Sequence, residues 1–392
     1  IAGTGPAAGG ALYSFSGNNR LGGPVALAAD STVGVTDYSL AIDGVISGNA
    51  NLTKIGAGTL ELTANNSFGG ETVVEQGTLH ATSGGSLGAG GASSNKTVVQ
   101  SGATLAVSNN VNFTDERLVI SSAGVGGTGA LRSISGDNIW GAPVTLAGDS
   151  RISVDTANLT ISGAVGGSGG LEKTGNGTLN LTTSNSYAGP TTVNQGTLSL
   201  NGNGRLSDAS ALVVGAFGTF HTTEPDAIWS LDGDGTIDIE SPGALVVGNF
   251  GNAGGTGIFA GLIKGNGVLT KRGSGTLTLT GANTISGATH VDEGTLLVKN
   301  TSGSATGSSQ LEIKAAGVLT GNQSAAGSLA IGISATSNGL LAVTGMATLA
   351  GSIDVDLLGG YQPGLGDTFE IMTYAGVSGE FTSSSGLSAV PG

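Results

Sequence analysis

Three near-copies of one 28-residue stretch constrain this chain more than anything else in it. They read LTKIGAGTLELTANNSFGGETVVEQGTL (Leu52 to Leu79), LEKTGNGTLNLTTSNSYAGPTTVNQGTL (Leu171 to Leu198) and LTKRGSGTLTLTGANTISGATHVDEGTL (Leu269 to Leu296). Each has a Leu, a Lys two residues on, a G-x-G-T-L-x-L-T run, an Asn-bearing turn, a short strand and a second G-T-L. The two G-T-L triplets begin 19 residues apart in every copy: Gly58 and Gly77, Gly177 and Gly196, Gly275 and Gly294. A short β-unit that recurs at fixed spacing cannot bury its apolar face alone, so the copies predict stacking.

The alternation within each copy assigns faces. Leu60 and Leu62, Leu179 and Leu181, and Leu277 and Leu279 fall on one side of their strands and are predicted to point inward. Glu61, Asn180 and Thr278 fall on the other side and are read as solvent-facing. Gly58, Gly177 and Gly275, with the glycines two positions earlier, mark tight corners. Asn65, Asn185 and Asn283 are placed at the turn that follows.

A longer period encloses the motif. GALYSFSG (from Gly10) returns as GALRSISG (from Gly129), and GPVALAADS (from Gly23) returns as APVTLAGDS (from Ala142). Both pairs and the first two motif copies share one offset, 119 residues, whereas the third motif follows the second by only 98. The shortfall is one coil of a parallel β-helix, the length of insertion or deletion that leaves later strands facing correctly. Long repeats are therefore placed at about 10–128, 129–226 and 227–300, and residues 301–392 as terminal coils or a cap.

Composition agrees with a right-handed parallel β-helix, all-β, elongated and nearly free of helix. Gly makes up 74 of 392 residues, only 10% are charged, and mean hydropathy is +0.21. Disordered chains combine low hydrophobicity with high charge, and collagen needs abundant Pro, of which there are 8. A net charge of −14 disfavours nucleic acid and anionic membrane surfaces as partners. With no cysteine there is no disulfide framework, and no apolar run is long enough to span a membrane as a helix.

These motifs resemble the passenger-associated repeat of bacterial autotransporters. Gly265 to Asn283 follow the family's G-x-G-x-L-T-K-x-G-x-G-T-L pattern closely; Phe68 and Tyr187 keep an aromatic that is Ile285 in the third copy. The resemblance implies an exported protein, secreted or on the bacterial surface, with a non-enzymatic role in adhesion, spacing or matrix. Its partners would be a host-cell or matrix surface, a glycan, or copies of itself. Such proteins end in a membrane barrel. These residues contain none, so the expectation is a cleaved or truncated passenger or a relative exported by another route, with any leader removed or lying outside these residues. A filament or sheath subunit is the second reading, and a polysaccharide-active β-helix enzyme the third.

Little in the sequence points to chemistry. His80, His221 and His290 have no metal-binding spacing and are read as structural. Asp232, Asp234 and Asp238 resemble the start of a calcium loop, but Gly243 stands where its distal Glu belongs. Asp354 and Asp356 alternate with Val355 and Leu357 as one polar strand face. Trp140 and Trp229 are isolated, a poor carbohydrate platform. No catalytic residue and no cofactor are assigned.

Overall fold

The computed structural model describes the chain except for residues 6–8, 92–94, 249–253, 301–303, 305, 308–310, 322–328, 350, 351, 365 and 386–392. It comprises two units, Ile1–Ser199 and Leu200–Gly392. Each is a parallel β-solenoid. Strands two to twelve residues long pair in parallel with the strands one coil away, and the only helical pieces among the described residues are the 3-10 turns Val125–Gly127 and Leu358–Gly360. Among the described residues no helix is long and apolar enough to cross a membrane.

The core of each unit is a set of ladders. In the first unit Leu40, Leu60, Leu79, Leu105, Leu131 and Ile152 stack in register, successive partners lying 19 to 26 residues apart. Ile42, Leu62, Ala81, Val107, Ser133 and Val154 form the row beside it through the same strand pairs. Leu179 and Leu181 stack on Leu159 and Ile161. In the second unit Leu277, Leu296, Leu319 and Leu341 form one row, and Phe259, Leu279, Val298, Gly321 and Val343 the next. All six motif leucines have zero solvent exposure. Burying each side chain contributes about 1.5–3 kcal/mol, and no thick core is needed because every leucine finds its neighbours directly above and below.

The spacing of 19 residues has a physical cause. Gly56, Gly175 and Gly273 have φ of +82°, +76° and +70°, a region costly for other residues. Gly77, Gly196 and Gly294 combine φ near +67° with a close approach. A Cβ on Gly77 would lie 2.3 Å from the Gly56 carbonyl oxygen and 2.6 Å from that of Gly58; the other two copies repeat this contact. The second G-T-L corner thus sits directly on the first, backbone against backbone.

Two side-chain placements differ from the sequence reading. Thr278 is buried, because Ile258 and Leu297, its register partners in the adjacent coils, flank it on the outer face. The turn asparagine of the first copy is Asn66, one residue beyond the position read from the sequence. Asn66, Asn185 and Asn283 each accept a hydrogen bond at Oδ1 from a backbone N–H one coil back, from Ile46, Val165 and Ile263, at 2.8–2.9 Å. Asn65 instead accepts from Ser83 and Gly85.

Candidate functional site

The third residue of each motif is its least expected feature. Alternation along Leu52–Ile55 and Leu171–Thr174 turns Lys54 and Lys173 inward with the leucines, and Lys271 ends the equivalent strand Val268–Lys271 on the same side. All three lysines are at most 1% exposed. A buried ammonium is tolerated only where its protons are satisfied, and here each Nζ donates to three backbone carbonyls. Lys54 reaches Ile55 (3.0 Å), Gly56 (2.7 Å) and Gln76 (3.1 Å). Lys173 reaches Thr174, Gly175 and Gln195 at 2.8–3.0 Å. Lys271 reaches Arg272, Gly273 and Glu293 at 2.6–3.1 Å. Two acceptors belong to the lysine's own glycine corner and the third to the next coil, so each cradle ties two coils together. Burial pulls all three amines down to about 8, still charged at neutral pH. With every proton committed to a carbonyl, these amines are clamps and not nucleophiles. The sequence shows the lysine at a fixed position; the signal missed was its inward phase within an alternating strand.

A second buried ionisable group lies in the strand Pro225–Ile228. Asp226 takes the place that asparagine holds elsewhere: its Oδ1 accepts from the Leu206 N–H at 3.1 Å, again 20 residues back. It is 3% exposed and its Oδ2 has no hydrogen-bond partner among the described residues. Burial pushes its acid up to about 7. Glu116, buried and bonded by the Thr97 hydroxyl at 2.7 Å, is likewise raised to about 7.

The outward rows are laced by ion pairs across coils. Arg151 grips Glu172 through two 2.9 Å bonds, Arg132 holds Asp155, and Asp292 lies between Arg272 and Lys314. A shallow groove of about 370 Å³ is lined by Asp149, Arg151, Glu172 and Thr192; its one arginine is taken up by Glu172, and Asp149 accepts from the Gly170 N–H at 2.8 Å. Each histidine stands beside a glutamate one coil away: His80 by Glu61 (3.8 Å), His221 by Glu240 (3.7 Å), His290 by Glu312 (3.5 Å).

The aspartates singled out in the sequence are dispersed in their bonding. Asp232 accepts from the Ile258 N–H at 2.9 Å, Asp238 pairs with Lys264 at 2.6 Å, and Asp234 is exposed in the turn between them. Among the described residues no group of three or more His, Cys, Asp or Glu is arranged to hold a metal ion. Asp354 accepts from the Ser385 hydroxyl, and Asp356 is exposed. Trp140 is fully buried, its ring centroid 4.8 Å from that of Phe113, and so offers no surface for a sugar; Trp229 is 36% exposed over Gly254.

Residues 52–81, 171–200 and 269–298 match the passenger-associated-transport-repeat family. The chain is similar to the Adhesin BmaC autotransporter of Brucella suis biovar 1 (strain 1330), with 32% identity over 163 residues. That alignment takes in 39% of this chain and spans 4% of the relative's length. No solved structure matches. The chain thus carries three passenger-associated-transport-repeats seated on a parallel β-solenoid and is similar, over part of its length, to an exported autotransporter adhesin.

Proposed function

We propose that this passenger acts in adhesion, by contact and without catalysis. The supporting observation is the division of labour along strands such as Thr59–Leu62, Asn158–Ile161 and Thr178–Leu181. Inward positions are filled by leucines, valines and clamped lysines, while outward positions carry Thr, Ser, Asn and paired charges. The carboxylates that glycoside hydrolysis would require as an acid and base facing one bond are committed elsewhere, Asp232 to a backbone amide and Asp238 to Lys264. The relative's printed name, an adhesin, supports the same reading. A repeated polar face suits many weak contacts made together.

Beads coated with the purified chain test this on mammalian cell monolayers and on surfaces coated with extracellular-matrix proteins. Retention above albumin-coated beads is expected on at least one of them, and background retention on all removes the adhesive reading. Release of reducing ends from neutral or acidic glycans, abolished by Asp232→Asn or Asp238→Asn, would replace it with an enzymatic one.

A further inference from the structure

The 119-residue repeat supplies an internal control, because one scaffold corner occurs twice with different decoration. The frame is the same in both copies. Asn19 Nδ2 donates to Ser14 Oγ at 2.8 Å, as Asn138 Nδ2 does to Ser133 Oγ. Ser39 bonds Asn18 at 2.9 Å where Asn158 bonds Asp137 at 2.7 Å. Tyr38 and Ala157 both have left-handed backbone, with φ of +61° and +55°.

The outward residues on this frame do not match. Where the second copy has Arg132, Ile134, Asp155, Thr156 and Ala157, the first has Tyr13, Phe15, Thr36, Asp37 and Tyr38. In the second copy Arg132 and Asp155 neutralise one another at 2.8 Å. In the first, the Thr36 hydroxyl donates to the Tyr13 hydroxyl at 2.7 Å, and exposed Asp37 has no ion pair among the described residues. Phe15 is 71% exposed, Tyr38 67% and Tyr13 50%, with the Tyr13 and Phe15 ring centroids 6.2 Å apart. The fold does not need these rings, since the second copy builds the corner without them. A tyrosine at φ +61° is also strained, with little burial in return.

Exposed aromatic faces beside an unpaired carboxylate, on a chain of net charge −14, present one chemistry. The ring quadrupole and the carboxylate both attract a cation, and the overall field draws a basic partner toward the surface. We propose that the corner formed by Tyr13, Phe15, Asp37 and Tyr38 is a recognition site for the Lys or Arg side chains of a basic protein segment. The proposal rests on the adhesive reading above and names its contact point.

Transplanting the second copy's corner tests it: Tyr13→Arg, Phe15→Ile, Thr36→Asp, Asp37→Thr and Tyr38→Ala together, a combination the same frame already accommodates. A charge-neutral companion replaces only the rings, Tyr13→Ser, Phe15→Ser and Tyr38→Ser. The probe is an arginine-rich peptide, titrated calorimetrically at 0.15 M and 0.5 M salt, with dextran as the neutral competitor. Both variants should melt with wild-type cooperativity and bind the peptide at least about tenfold more weakly. Unchanged affinity in the charge-neutral variant overturns the site, because charge alone then explains binding. Dextran binding lost with the rings overturns the cation assignment in favour of a neutral sugar. Wild-type beads that adhere nowhere defeat the adhesive reading alone. Wild-type beads that adhere, with the transplant still binding the peptide normally, defeat the site alone.

Discussion

At the residue scale the fold depends on polar groups placed where leucine would be expected. Replacing Lys54 by Met leaves the carbonyls of Ile55, Gly56 and Gln76 without that donor, which should cost about 1–3 kcal/mol in urea unfolding. The pH dependence has a definite sign. The folded amine titrates at about 8 and the unfolded one at its ordinary 10.5, so between these values the unfolded chain holds more protons. The lysine's contribution to stability therefore rises from pH 8 to 10.5 and is smallest below 8. The wild-type advantage over Lys54→Met should be larger at pH 9.5 than at pH 7, and an advantage that shrinks would contradict the buried-ammonium account. Asp226 behaves oppositely. Its acid is raised from 3.8 to about 7, so the folded chain holds the extra proton in that window and stability falls as pH rises through it. Asp226→Asn restores the side chain found at Asn66, Asn185 and Asn283. It should raise the melting temperature at pH 8 and leave it nearly unchanged at pH 4. Of these residues the sequence displayed the leucines plainly, because Leu60 and Leu62 alternate with polar neighbours. It hid Lys54 and Asp226, since a charge in an inward phase runs against the pattern used to find the core. The doublet Asn65-Asn66 gives no local reason to prefer its second member, but the 119-residue offset does, since it carries Asn66 onto Asn185, and the hydrogen bond from the Ile46 N–H agrees.

At the element scale the glycine corners divide into two kinds, and the difference is measurable. At Gly102, φ is +84° but a Cβ would meet nothing within 4 Å. At Gly77, φ is +66° and a Cβ would strike the backbone oxygen of Gly56 at 2.3 Å. Gly102→Ala should therefore cost only the backbone strain, about 1 kcal/mol. Gly77→Ala must also separate two stacked corners and should cost at least about twice as much, read as the difference in urea midpoints. Equal losses would mean the corners are not in contact. The G-T-L spacing announced stacked corners in the sequence, but not which glycine is held by torsion and which by contact. Thr278 shows the same limit: its outward phase was legible, while its cover by Ile258 and Leu297 depends on the register between coils.

At the scale of the whole molecule, each unit is held together coil by coil. Leu60 touches the coils of Leu40 and Leu79 and has no direct share in distant ones. Leu60→Ala should cost about 2–5 kcal/mol, and hydrogen exchange should accelerate most in the strands Ser39–Ile42, Thr59–Leu62 and Thr78–Ala81. Uniform acceleration across the first unit would indicate a single cooperative core instead. The three transport repeats made export legible from the sequence, whereas the aromatic corner became visible only when the two long repeats were laid on one frame. The lysine cradles bear on how such a chain assembles once outside. Lys54 has two acceptors in its own corner and the third on Gln76 of the adjoining coil, so its bonding is complete only after both turns have been laid down. Each cradle therefore acts as a latch between neighbouring turns, closed only when both are in place.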